Sequence, residues 1–198
     1  MDLNNLLYKH TDKIEPGRGK LLIAEPMMEE VFFRRSVVLL LDEDTDGGLL
    51  GLTLNKTTEL TLHDIMPELG FGEDITVYCG GPVDMERLFM LHTMGDTFGE
   101  CLQVSPGLYV GGDFHKIVDY LKSGGEVEGK IRFFIGYSGW RGGQLADEIE
   151  NHSWAVGIPE GGEILLQSEE NEFWRREVSR LGEDYRSWLM VPTDPNMN

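Results

Sequence analysis

The sequence predicts an α+β protein built on a mixed sheet. Strand-like stretches outnumber helical ones, and several neighbouring strands have no helix between them, which argues against a doubly wound parallel sheet. Many of the 25 glycines come in pairs, at 47–48, 80–81, 111–112, 124–125, 142–143 and 161–162, with no fixed period. They mark frequent turns between short elements and exclude a repeat array.

The elements follow in chain order. Leu3, Leu6, Leu7 and His10 fall at helical spacing ahead of a turn at residues 16–19, so residues 1–18 read as an N-terminal helix and turn. "KLLIAEP" reads as a strand stopped by Pro26. "SVVLLLDED" is a continuous apolar run, the pattern of a strand covered on both faces. Asp46, Gly47 and Gly48 form a turn, and "LLGLTLNK" alternates as the hairpin partner. "TLHDIMPEL" is a short helix with Thr61 near its cap. "DITVYCGGPV" is a strand broken at Gly80 and Gly81. "ERLFMLHTM" fits either period; the Gly-Gly-Pro corner favours a strand that returns as a hairpin.

"LYVGG" runs to Asp113, an N-cap for a helix with Phe114, Ile117, Val118 and Leu121 on one face and Gly124 as its stop. "KIRFFIGY" is a strand, followed by a turn, a helix carrying Leu145 and Ile149, and the strand "WAVGIP". The last helix buries Trp174, Val178 and Leu181 and exposes Arg175, Arg176 and Arg180. Residues 190–198 form a loose tail. No linker divides the 198 residues, so one domain is expected.

Composition bounds function. Seventeen basic against 35 acidic residues give a net charge of −18. Such a surface repels a duplex, and the basic pairs Arg34-Arg35 and Arg175-Arg176 make no stripe, so direct nucleic-acid binding is not expected. The acidity suits solubility or a basic protein partner. "MDLNNLLYKHTDK" has neither a basic leader nor a long apolar core, and no apolar run reaches membrane length; a soluble cytoplasmic protein with no membrane association is expected. Cys79 and Cys101 lack paired spacing and read as reduced, part-buried residues.

The stretch "GYSGWRGGQLADEIENHSW", residues 136–154, carries the most chemistry. Its Gly136 and Ser138 approach the nucleophile elbow, but Trp140 stands where the motif needs a glycine for close helix packing, and His152 follows too soon to complete a triad. Ser138 then serves to hydrogen-bond the turn. "GGEVEGKI" imitates a phosphate loop between a helix and a strand, the reverse of the required order, and Glu126 and Glu128 oppose phosphate. The five histidines have no metal spacing, and His92 in an apolar strand reads as a hydrogen-bonded, semi-buried residue. Asp147, Glu148 and Glu150 read as a solvated helix face, and neither a metal nor a cofactor is expected.

Two polar features remain. Arg141, Gly142 and Gly143 precede a helix start, where free N–H groups favour an anion. Asn55 and Lys56 lie just beyond a strand, an ordinary turn or a second polar contact. With Gly80, Gly81, Pro82, Tyr137, Ser138, Trp140 and Gln144 they form the candidate ligand corner, suited to a small phosphate- or carboxylate-bearing molecule. No residue is assigned a catalytic role.

The segments "GKLLIAEP", "FRRSVVLL", "GLLGLTLNK", "GGPV", "LH" and "GYSGWRGGQLADEI" occur in an order that resembles the YqgE/AlgH family of bacterial proteins (UPF0301, DUF179), over about residues 19–181. The resemblance implies a bifurcated sheet curled into a pseudo-barrel with peripheral helices. A transcriptional-regulator label in that family stems from an association with alginate control in some members, and no DNA-binding motif accompanies it here. Family members usually have Glu directly after the G-Q-L triplet and again two residues later. Here Ala146 takes the first position and Glu148 keeps the second, while Arg141 stands where Gly or an acid is common. The combined reading is a non-enzymatic protein that binds another protein or a small anionic ligand, with an indirect regulatory output. The alternative is an enzyme acting on a small anionic substrate.

Overall fold

The computed structural model describes residues 14–43, 47–72, 74–166 and 170–192. The expected N-terminal helix, part of the Asp46 turn and the end of the tail lie outside these residues. Among the described residues ten strands occur: β1 (Leu21–Ala24), β2 (Val37–Glu43), β3 (Leu49–Thr53), β4 (Thr57–Thr61), β5 (Thr76–Cys79), β6 (Val83–His92), β7 (Leu102–Ser105), β8 (Leu108–Val110), β9 (Ile131–Trp140) and β10 (Trp154–Gly157). The main path runs β10-β1-β2-β3-β9-β6-β8-β7, with β5 also on β9 and β4 on β5. Every pairing is antiparallel except β5 with β9. The sheet curls into a half-barrel: a Cβ on Gly19, just ahead of β1, would stand 2.2 Å from the Val104 carbonyl oxygen of β7 at the far end of the path.

The run in β2 does what a two-faced strand requires. Val37, Leu39 and Leu41 enter one core with Leu21 and Ile23, closed by Phe173, Trp174 and Val178 of α5 (Glu170–Leu181). Val38 and Leu40 enter an opposite core with Leu22, Trp140, Trp154 and Leu145 of α3 (Gln144–Glu150). A third core joins Ile131, Phe133 and Ile135 of β9 to Val77, Met90 and the apolar face of α2 (Phe114–Lys122).

Local end signals behave as the sequence indicates. Thr61 and Asp64 form a reciprocal capping box on α1 (Leu62–Ile65). Asp113 caps α2 by accepting from His115 N–H, and the helix ends with Gly124 N–H on the Leu121 carbonyl and Gly125 N–H on that of Tyr120, the paired bonds of a glycine C-terminal stop.

Three features differ from the sequence reading or escape it. First, β5 and β6 form no hairpin: they take opposite edges of β9, β5 parallel and β6 antiparallel. Second, the β7–β8 hairpin around Pro106 and Gly107 and the short helices α4 (Gly162–Leu165) and α6 (Arg186–Met190) have patterns too short to stand out. Third, the tail begins under restraint, because the Val191 and Pro192 carbonyls both accept from Arg35 Nη2.

Candidate functional site

The bifurcation of the sheet is made at Gly80, Gly81 and Gly136. One edge of β9 is shared by two strands: β5 pairs with residues 133–135, then β3 with residues 138–140. Gly80 sits at the fork. Its N–H donates to the Ile135 carbonyl at 2.9 Å, and its carbonyl accepts from Thr53 N–H at 2.8 Å and from Ser138 Oγ at 3.0 Å. Gly81 then carries the chain across β9, so that Val83 pairs with Tyr137 on the other edge.

This crossing leaves no room for side chains. A Cβ on Gly81 would lie 2.1 to 2.3 Å from Tyr137 C, Tyr137 O and Ser138 N, and one on Gly136 would meet the Gly81 carbonyl oxygen at 2.4 Å. Gly136 also has φ 66, and this bulge inverts the alternation of β9. Phe134 and Tyr137 therefore share one core, while Trp140 reaches the opposite one.

The turn expected at Ser138 is displaced: β9 continues through Trp140, and Ser138 is fully buried in mid-strand, with Thr53 Oγ1 3.2 Å from its hydroxyl. A nucleophile elbow needs its serine exposed on a strained turn, and this serine has neither property. Ser138→Ala is expected to cost about 1–2 kcal/mol, one net hydrogen bond plus an orphaned Thr53 hydroxyl. Urea denaturation measures this; an unchanged midpoint would mean that the hydroxyl bonds carry no net stability.

Asn55 and Lys56 are occupied in a clamp. Asn55 is buried; its Oδ1 accepts from Val37 N–H and its Nδ2 donates to the Arg35 carbonyl. Lys56 Nζ donates to the Arg34 carbonyl at 3.0 Å. The pair therefore shapes residues 34–37, where Arg35 holds a left-handed φ of 55.

Beyond Trp140 the candidate corner divides. Arg141, Gly142, Gly143 and Gln144 are exposed, Gly143 has φ 84 with open space where its Cβ would be, and Arg141 N–H donates to Gln144 Oε1. Pro82 is exposed as well. Trp140 instead points inward, 6% exposed, and meets Trp154 edge-on at 5.7 Å. Glu148 Oε2 accepts from both indoles, at 2.9 Å from Trp140 Nε1 and 2.8 Å from Trp154 Nε1, while Oε1 accepts from Gln144 Nε2. Glu148 thus departs from the solvated-face reading, which fits its exposed neighbours Asp147 and Glu150. The fold brings Gly80 and Gly81 against Tyr137 and Ser138, and separately Trp140 against Glu148; Asn55 and Lys56 serve another loop.

Groups with displaced pKa values are scattered, each with a local cause. Burial lowers the His92 pKa, partly offset by its bond to the Gly111 carbonyl. Because His92 Nδ1 accepts from Met94 N–H, Nε2 carries the proton. Burial also lowers the Arg132 pKa; this side chain is 6% exposed, donates to the Leu54, Leu165 and Leu166 carbonyls and stacks on Tyr78. Sequence reasoning missed it, since an Arg within a strand gives no sign of facing inward. Burial raises the Cys79 thiol, and both cysteines are free. Among the described residues no group of His, Cys, Asp or Glu is placed to hold a metal, and no helix is long and apolar enough to cross a membrane. An open recess beside Thr93, Met94, Lys130 and Glu163 contains none of the predicted site residues.

A curled, bifurcated mixed sheet pinned by a glycine crossing, with its helices at the periphery, defines the structural class. The family model described as AlgH-like matches residues 21–186. A UPF0301 protein of Parabacteroides distasonis is 41% identical over 96% of this chain and 94% of its own length, and one of Bacteroides fragilis is 40% identical over the full length of both. The solution structure of the AlgH protein from Pseudomonas aeruginosa superposes with a TM-score of 0.69 at 25% identity, covering 92% of this chain and 98% of that one. A crystal structure from Corynebacterium diphtheriae gives a TM-score of 0.70 at 22% identity, over 89% and 93% of the two chains, a likeness of fold. The chain belongs to the AlgH-like, UPF0301 family.

Proposed function

We propose that this chain is a non-enzymatic, cytoplasmic protein that acts by binding a protein partner, and that any regulatory output passes through that partner. The first half of β6 carries this reading. Val83 pairs with Tyr137 and Leu88 with Ile135, so residues 84–87 stand opposite Gly136 alone and form a bulge, with the Met85 sulfur over Gly136 and 4.0 Å from Cys79 Sγ. Val83 is 39% and Met85 42% exposed, flanked by exposed Asp84 and Glu86. An apolar pair between acids, on a protein of net charge −18, suits an apolar partner segment with basic flanks.

An enzyme on a small anionic substrate is less well supported. Ser138, Asn55 and Glu148 already spend their polar atoms inside the fold, and the displaced pKa values do not converge on one cleft.

The test is affinity capture from native lysate with the wild-type chain and with the double variant Val83→Asp, Met85→Asp. Both positions are exposed, so folding should survive, as circular dichroism would verify. Proteins retained by the wild type should be lost from the variant. An identical captured set would remove this surface from consideration.

A further inference from the structure

The sequence shows two basic pairs far apart, Arg34-Arg35 and Arg175-Arg176, and predicts no stripe from them. The fold brings one member of each together. Arg35 Nη2 donates to the Val191 and Pro192 carbonyls at 2.7 and 2.8 Å, and its guanidinium lies 4.8 Å over the ring of Trp174. Arg175, the next residue, reaches the Leu189 carbonyl at 3.4 Å. Both guanidinium groups therefore converge on the carbonyls at the end of α6. Arg34 itself points elsewhere, its Nε donating to the Met28 carbonyl at 2.7 Å.

This grouping runs against the composition. With 35 acidic residues for 17 basic ones, two cations brought side by side are the less expected arrangement. Among the described residues, ion pairs engage Arg18, Lys130, Arg176, Arg180 and Arg186, and none engages Arg34, Arg35 or Arg175. The two guanidinium groups are close enough to repel: the Arg35 pKa falls below the usual arginine value, through burial first and the Arg175 charge second. Helix-end carbonyls offset part of that repulsion. They take only one nitrogen of each fork, leaving most of the five donors of each guanidinium for a ligand.

We infer that Arg35 and Arg175 form a binding site for a phosphate group. A dianion with three terminal oxygens neutralises two cations and engages two planar forks, whereas a carboxylate matches one. The phosphate could belong to a soluble metabolite or a lipid headgroup. The site uses no residue of the β6 bulge, so its test is separate from the one above.

The test is titration of the full chain with inorganic phosphate at matched ionic strength, followed by the backbone amide resonances. Saturable shifts are expected at residues 34–36, 174–176 and 189–191, and none at residues 142–144. Arg175→Gln should weaken binding about tenfold or more, one charge-assisted pair, and Lys122→Gln, at the exposed end of α2, should leave it unchanged. Arg175 is exposed and its one bond is long, so the dispersed spectrum should survive; Arg35→Lys, which keeps the charge and loses the planar fork, is the second variant if it does not. In a parallel arm, sedimentation with phosphatidylcholine vesicles containing phosphatidic acid, whose phosphomonoester keeps three terminal oxygens, but not with phosphatidylcholine alone, dependent on Arg175, would identify a headgroup as the source. Binding of inorganic phosphate without vesicle retention would identify a soluble phosphate. Absence of saturable binding to either probe, or binding undiminished in both variants, would overturn the proposal.

Discussion

Gly81→Ala is expected to yield no stably folded protein. Its Cβ would fall 2.1 Å from the Tyr137 carbonyl carbon and 2.3 Å from Ser138 N. These are backbone atoms of a central strand, and they cannot rotate aside as a side-chain tip can. Relieving the overlap means separating Gly81 from β9, and with it the Thr53 and Ser138 bonds at Gly80 and the Val83–Tyr137 pairing. A loss of more than about 4 kcal/mol is expected, most of the stability of a typical domain. The control is Gly143→Ala, where φ is 84 but the Cβ meets nothing within 4 Å. Strain alone should cost it about 1 kcal/mol. Far-ultraviolet circular dichroism and urea titration compare them; two variants of similar stability would mean that the crossing has slack.

Glu148→Ala should destabilise the chain by about 3–5 kcal/mol, because two buried indole donors lose their charged acceptor together. Trp140 is 6% and Trp154 3% exposed, and both pack on Phe33, so little water reaches the orphaned N–H groups. Glu148→Gln separates the hydrogen bonds from the charge. Its amide oxygen can occupy the Oε2 position between the indoles, while Gln144, turning its amide to accept from the new NH2 group, gives up its exposed bond from Arg141 N–H. The Gln variant should recover more than half of the loss. Equal loss in both would show that charge, not acceptance, holds the two tryptophans. The two neighbouring positions differ in their surroundings: residue 146, here Ala, is exposed, whereas Glu148 faces the indoles.

Much of the fold was legible because its signals are local. Thr61 and Asp113 announced their helices, Gly124 its stop, and the unbroken run in β2 its burial on both faces. The same reasoning placed β6 as a strand but misjudged its route, since Gly-Gly-Pro reads alike whether the chain turns back or crosses over. The candidate residues were legible as polar or glycine-rich positions, and their employment was not.

The α+β class, the family motifs and the caps can be read along the chain, because each strand pattern, motif and cap is carried by a short local stretch. Which edge of β9 each strand takes, the place of Ser138 inside a strand, the bridge from Glu148 to two tryptophans and the approach of Arg35 to Arg175 emerge only on folding. Most of these rest on pairing between residues distant in the chain, and the Glu148 bridge rests on how α3 lies against the ends of β9 and β10. Hydrophobic period and turn chemistry are blind to such pairings: they record which face a residue presents, not what the rest of the molecule brings against it.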